Sequence, residues 1–167
     1  MDKTEPLAAG TDSAGETVEK KRAKAKGKGT CFAIMPFGDW FDDYYEDLYC
    51  PAIRAAGLEP KRADDLYRPS TIINDIWSYT QTAKLILADL TGKNPNVFYE
   101  LGLAHALAKP AILIAESIND VPFDLRSLRV IVYDKNQPDW GVSLRDSITK
   151  SMVRPGYMGD RSVRAHG

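Results

Sequence analysis

Apolar and polar residues alternate in blocks along the chain, and the blocks come in two lengths. Short apolar runs occur at Cys31–Met35 (C-F-A-I-M), at Leu85–Leu90 (L-I-L-A-D-L, broken only by Asp89) and at Ala111–Ala115 (A-I-L-I-A). Runs of this length between turn signals predict strands buried on both faces, as in a parallel sheet. Leu58–Arg62 and Arg129–Tyr133 predict two further strands, the former weak and near an edge. Longer stretches with helical spacing lie between them. Asp39–Ala56 places Tyr45, Leu48, Tyr49, Ala52, Ile53 and Ala56 on roughly one face. Pro51 predicts that this helix kinks or splits, and Gly57 stops it.

After a loop over residues 64–69, Ser70 is positioned to cap a helix whose apolar stripe is Ile72, Ile73, Ile76, Trp77 and Thr80. Asn94 is a good N-cap residue and Pro95 suits the first helical position, so a helix is predicted from Pro95 to Ala108, ending before Lys109-Pro110. It is apolar nearly all round, which predicts a buried helix, with Tyr99 in the core and Gly102 and the alanines lying close on a sheet. Residues 116–126 read as a loop. Gln137–Met152 reads as a last helix with Trp140, Leu144 and Ile148 at spacings of four.

Strands alternating with helices predict an α/β fold: a flavodoxin-like, Rossmann-like doubly wound sheet of five parallel strands in the order 2-1-3-4-5. In such sheets the ligand crevice opens at the carboxyl ends of the strands, where the order reverses between the first and third. Two loops meet there, Pro36-Phe37-Gly38-Asp39 and Thr91-Gly92-Lys93-Asn94.

Composition adds a boundary. Residues 1–29 are polar and poor in large apolar side chains, which predicts a disordered basic tail. The folded domain is then 30–153, followed by a frayed tail over 154–167. The basic run K-K-R-A-K-A-K-G-K-G reads either as a solvated linker or as a contact for an acidic partner; it lacks the aromatics that stack on bases. The net charge of -1 and pI of about 6.1 exclude a nucleic-acid-like excess of positive charge over the whole chain. No run of 18 apolar residues predicts a membrane span, and the first residues lack a signal-peptide layout. Cys31 and Cys50 form no C-x-x-C motif and read as reduced, buried thiols of a cytoplasmic protein. Neither a metal nor a cofactor is expected.

The candidate chemistry lies in Lys84–Pro110. Between Asn96 and Lys109 only Glu100 and His105 ionise. A carboxylate in so apolar a helix is desolvated, paired or used, and both a paired structural Glu and a reactive one stay open. Asp89, at the carboxyl end of the third strand, either holds a substrate hydroxyl or caps the Thr91-Gly92 turn. Asn96 binds a hydroxyl or caps the helix. Phe37 stacks on a base or serves as a core or lid residue. His105 falls about 140° round the helix from Glu100 and reads as structural. Asp124, Arg126 and Arg129 read as a structural ion-pair group, and Arg68 is placed where it can reach a phosphate. An acidic pair after the first strand would be needed for a Mg²⁺-binding receiver domain; Met35-Pro36 stands there instead.

The segment A-D-L-T-G-K-N-P-N-V-F-Y-E-L-G-L-A-H-A-L resembles the nucleoside 2-deoxyribosyltransferase-like family, which is akin to the TIR domains, many of which cleave the glycosidic bond of NAD. F-A-I-M-P-F-G and V-P-F-D-L-R-S-L-R-V-I-V-Y are similar to one bacterial branch of it. The resemblance covers about Thr30 to Asp134. It implies an N-glycosidic-bond enzyme, a transferase or a hydrolase, with the Glu of E-x-G-x-A, here Glu100, as nucleophile and Asp89 as a second catalytic group. Phe37, Gly38, Gly92, Asn94 and Asn96 are the implied substrate-binding residues. The implied partner is a small-molecule nucleoside or nucleotide, and a homo-oligomer is allowed. Asn94 stands where those transferases usually carry an Asp, and Lys84 where they often carry another. A non-catalytic nucleotide-binding or interaction module is the alternative.

Overall fold

The structure, a computed structural model, describes residues 29–38, 40–63 and 72–154. The expected basic tail, the 64–69 loop with Arg68, the Ser70 cap and the frayed C-terminal tail lie outside them. Five strands, β1 (Thr30–Ile34), β2 (Glu59–Arg62), β3 (Leu85–Asp89), β4 (Ala111–Ala115) and β5 (Val130–Val132), form one sheet in the order β2-β1-β3-β4-β5. Every pairing is parallel. The predicted α/β architecture and strand order are those observed.

Helices α1 (Trp40–Tyr44), α2 (Cys50–Ala55) and α5 (Trp140–Val153) cover one face; α3 (Ile72–Thr82) and α4 (Pro95–Ala106) cover the other. Alternate strand residues feed the two cores. Cys31, Ala33, Leu85, Leu87, Ile112 and Ile114 meet Tyr49, Ile53 and Ile148. Phe32, Ile34, Ile86, Ala88 and Leu113 meet Val97, Leu101 and Ala104. A strand buried on both faces has no polar side to show, which is why β1, β3 and β4 read as apolar runs, that of β3 broken only by Asp89.

Pro51 splits its helix as expected, and the device is a π turn at Tyr45–Tyr49 between α1 and α2. Proline has no N–H to donate and its ring crowds the carbonyl four residues back; the wider turn relieves both, and Pro51 then sits in the first turn of α2. The chain leaves α2 through Gly57 at φ 82°. Lys109 closes the end of α3, its Nζ donating to the carbonyls of Gln81 at 2.5 Å and Ala83 at 3.0 Å.

Helix α4 departs from expectation in two ways. It ends at Ala106, two residues early. Ala108 turns left-handed at φ 51°, and Lys109, next to Pro110, is disfavoured in the helical region. Nor is it buried all round: Val97, Glu100, Leu101 and Ala104 are covered, while Tyr99, Gly102, His105 and Ala106 face outward. Tyr99 is 55% exposed and the space around the Gly102 Cα is open, so neither packs on the sheet. A sheet covers one side of a helix, and an apolar-all-round sequence does not say which. In α3, Ile76 and Thr80 point inward as expected, but Ile73 is exposed.

The connection from β4 to β5 is ordered by two 3₁₀ turns, Ile118–Asp120 and Phe123–Leu125. Arg126 ties them together. Its Nε donates to the Val121 carbonyl at 3.1 Å and its Nη2 to the Ile118 carbonyl at 3.3 Å. The expected ion-pair group does not form: among the described residues Asp124 and Arg129 have no ionic partner, and Arg126 donates to backbone carbonyls instead.

The two sides of α4 make opposite predictions. Leu101→Ala removes a side chain only 2% exposed against β3 and should lower unfolding free energy by about 2–5 kcal/mol. Tyr99→Ala, two residues away, should change it by less than about 0.5 kcal/mol. Urea denaturation of both variants measures this; equal losses would contradict the assigned faces.

Candidate active site at the carboxyl end of the sheet

All strands being parallel, the loops after β1, β3, β4 and β5 share one end of the sheet. The turn after β3 is held from several directions. Asp89, 1% exposed, accepts a hydrogen bond on Oδ2 from the Tyr49 hydroxyl at 2.6 Å and on Oδ1 from the Thr91 N–H at 3.0 Å. Thr91 Oγ1 accepts from the Glu116 N–H at 3.1 Å and lies 3.5 Å from the Tyr133 hydroxyl oxygen. The Gly92 N–H donates to Asp120 Oδ2 at 3.3 Å. Gly92 sits at φ 74°, a left-handed conformation that a side chain would strain, and is exposed.

Of the two roles open to Asp89, the geometry displays the cap: both oxygens are taken by internal donors. Burial pushes its carboxyl up from the usual range, and the bonds from Thr91 and Tyr49 pull it back only in part. The Tyr49 hydroxyl is itself pushed well up, by burial first and by the Asp89 charge second.

Asn94 caps α4, its side chain accepting from the Asn96 N–H at 2.9 Å. The Asn96 side chain is exposed and does not perform that capping. Six residues after Asn94 comes Glu100, on the covered side of α4 between the rows of Val97 and Ala104. It is 8% exposed. Among the described residues nothing donates to its carboxylate or pairs with it. Burial alone raises it to about 7. His105 is exposed on another side of the helix.

The loop after β1 forms the facing side of the switch point. Phe37 is 54% exposed, and Gly38 takes φ 79° with open space about it. The Gly38 N–H donates to Asp42 Oδ1 at 3.4 Å, and its carbonyl accepts from the Phe41 N–H at 3.2 Å. Arg62, at the end of β2, pins this loop. Its guanidinium pairs with Asp42 at 2.9 Å and lies 4.4 Å from the centre of the Tyr45 ring and 5.4 Å from that of Phe37. Beyond β4, Lys135 pairs with Glu116 at 2.9 Å and lies 5.3 Å from the centre of the Trp40 ring.

Sequence reasoning did not single out Tyr49, Thr91, Tyr133, Asp120, Arg62 or Asp42. Thr91 carried a signal: a residue two past an Asp is where an Asx turn places its N–H. Tyr49, Tyr133, Asp120 and Arg62 reach their partners from 20 to 42 residues away along the chain, beyond the range of local pattern, while Asp42 meets the Gly38 N–H from four residues away. No group of three or more His, Cys, Asp or Glu among the described residues is arranged to hold a metal ion. Cys31 and Cys50 are buried and form no disulfide, and burial raises the Cys31 thiol. No described helix is long and apolar enough to cross a membrane.

No family model matches the sequence, and no curated protein matches it. Among solved structures, the chain is similar to a 2-desoxiribosyltransferase from Leishmania mexicana, with 18% identity, a TM-score of 0.44, and coverage of 53% of this chain and 65% of that one. It is also similar to the Vibrio vulnificus NanR protein complexed with ManNAc-6P, with 12% identity, a TM-score of 0.48, and coverage of 83% of this chain and 54% of that one. The chain thus spans less than two thirds of either protein's length. Likeness at this level assigns nothing to this chain, whose fold and site rest on its own residues.

Glu100 makes stability depend on pH. Its folded value, about 7, lies above the ordinary 4.5, so the folded state holds the proton more tightly. The stabilisation this gives is complete below about 4.5 and is lost as pH rises through about 7, by at most about 3 kcal/mol. Glu100→Gln removes that titration. Relative to the parent it should therefore gain stability between pH 5 and pH 8, measured by urea unfolding at both; a difference independent of pH would show that Glu100 is not desolvated.

Proposed function

We propose that this chain cleaves the N-glycosidic bond of a nucleoside or nucleotide, with Glu100 as the nucleophile. One observation carries the reading: a carboxylate 8% exposed, without a partner among the described residues, in the early turns of the helix that follows β3 at the switch point. A structural glutamate so buried normally has a partner, because an unpaired buried charge is costly. A glutamate kept for reaction leaves its oxygens free. The resemblance of Glu100-Leu101-Gly102-Leu103-Ala104 to the E-x-G-x-A motif of the deoxyribosyltransferase-like family supports the same assignment.

In this mechanism a Glu100 oxygen attacks the anomeric carbon. The bond from that carbon to the base nitrogen breaks, and the base leaves with the electron pair and takes up a proton. Water or a second base then attacks the same carbon, freeing Glu100 and restoring the original configuration. A carboxylate close to a carbon bearing oxocarbenium-like charge stabilises the transition state more than the ground state. Phe37 offers an exposed ring for the base, while Gly38 and Gly92 offer backbone that a ligand can approach closely. Asn94 and Asn96 are assigned to substrate binding in this reading. Asp89 serves the reaction by fixing the turn, its oxygens being held by Tyr49 and Thr91. A nucleotide-binding module without turnover is the second reading, favoured by one observation: Asn94, in the place of the usual acid, is engaged as a helix cap.

The test is base release from a panel of deoxynucleosides, nucleotides and NAD, followed chromatographically. Parent protein should release base from at least one of them. The rate should rise with pH and level off above about 7, because attack needs the ionised carboxylate. Glu100→Gln should lose at least about a thousandfold in rate, roughly 4 kcal/mol of barrier, while binding the same compound. Binding without release by the parent would establish the second reading. A folded Gln variant within about tenfold of the parent would remove Glu100 from the mechanism.

A further inference from the structure

The two edges of the sheet differ in how they are protected. β2 carries Glu59, Pro60 and Lys61. Charges and proline are what keep a strand edge from pairing with another chain. β5 reads Val130-Ile131-Val132, with neither. Its outer backbone is also unused. The Arg129 carbonyl accepts from the Leu113 N–H at 3.3 Å, and the Tyr133 N–H donates to the Ala115 carbonyl at 3.1 Å. Backbone groups of successive strand residues point to alternate sides. Residues 129, 131 and 133 therefore face β4, and the N–H and C=O of Val130 and Val132 point away from it. Among the described residues nothing bonds to those four groups.

Apolar side chains flank this edge. Val130 packs on the core beneath α3 and α4, and Val132, two residues on, projects from the same face and is 49% exposed. The connection that packs Val121 and Leu125 on that core leaves Leu128 42% and Phe123 83% exposed.

We propose that β5 is the interface between two copies of this chain, pairing antiparallel about a two-fold axis at Ile131. In this register Val130 faces Val132 of the second copy, and Val132 faces its Val130. All four outward groups of each strand find a partner, giving four hydrogen bonds. A two-fold axis normal to the sheet keeps paired side chains on one face, so both valine pairs lie on the side of the sheet that carries the β4–β5 connection. Arg129 falls opposite Tyr133, so directly opposed positions carry no like charges. The occupant must itself be an unblunted strand edge. Within the described sheet the chain supplies one, β5, since β2 is blocked. Three residues of strand make a small interface, so association is concentration-dependent rather than obligate. This inference is independent of the role of Glu100.

Sedimentation of the full chain from about 1 to 200 µM should show the mass rising from 18.5 kDa toward twice that value. Val132→Lys puts a charge at an exposed edge position and removes no bond to β4; it should stay monomeric throughout and melt with the parent. Hydrogen exchange on the parent itself gives a second readout: the amides of Val130 and Val132 should be slowed at high concentration and fast at low. A monomer up to 200 µM overturns the proposal. So does a Lys variant that associates like the parent, and so does protection of the two amides that does not change with concentration, which would mean that the chain covers its own edge.

Discussion

The arrangement at the carboxyl end of the sheet depends on one buried hydrogen-bonded carboxylate, Asp89. It stands on β3, the middle strand of the order. Through Oδ2 it reaches Tyr49, at the end of the π turn on one face of the sheet; through Oδ1 it holds Thr91, whose turn leads to α4 on the other face. One side chain thus ties together two helical layers that share no core. Thr91 extends the tie to β4 through the Glu116 N–H and to Tyr133 beyond β5. Removing a partner from such a buried group leaves a donor or acceptor without water or protein, which costs more than the bond itself contributes. The turn, and with it the start of α4, is therefore fixed independently of any ligand.

Asp89 and Glu100 make an instructive pair. Burial raises both. Asp89 has donors on each oxygen, so its environment is saturated and rigid. Glu100 has burial without a donor among the described residues, and its titration moves to about 7, where a change of one unit in pH alters its charge substantially. Environments that differ in this way give two carboxylates of one fold different protonation behaviour. Pro51 belongs to the same design: the π turn it enforces ends at Tyr49, the residue whose hydroxyl completes the Asp89 site.

The strand order, the Asn94 cap and the break at Pro51 were legible in the sequence because each is written in local chemistry: doubly buried strands read as apolar runs, a cap needs a short polar side chain, and proline lacks an N–H. The orientation of α4 was not legible. With apolar residues on every side, hydrophobic spacing cannot choose between burying Leu101 and burying Tyr99; the sheet decides. Arg126 was misjudged for a related reason. A guanidinium near a carboxylate in sequence suggests an ion pair, but Arg126 donates instead to the Val121 and Ile118 carbonyls of the 3₁₀ turns. Glu100 was identifiable as an isolated carboxylate, whereas its lack of a partner among the described residues could be seen only in three dimensions.

The central claim is that Glu100 is a desolvated carboxylate without a partner among the described residues. The most direct measurement is a carbon-detected NMR titration of its side-chain carboxyl, assigned by comparison with Glu100→Gln. A midpoint near 7 is the predicted result. A Glu100 midpoint at or below about 4.5 would contradict the claim, because it would require solvent or a cation at the carboxylate.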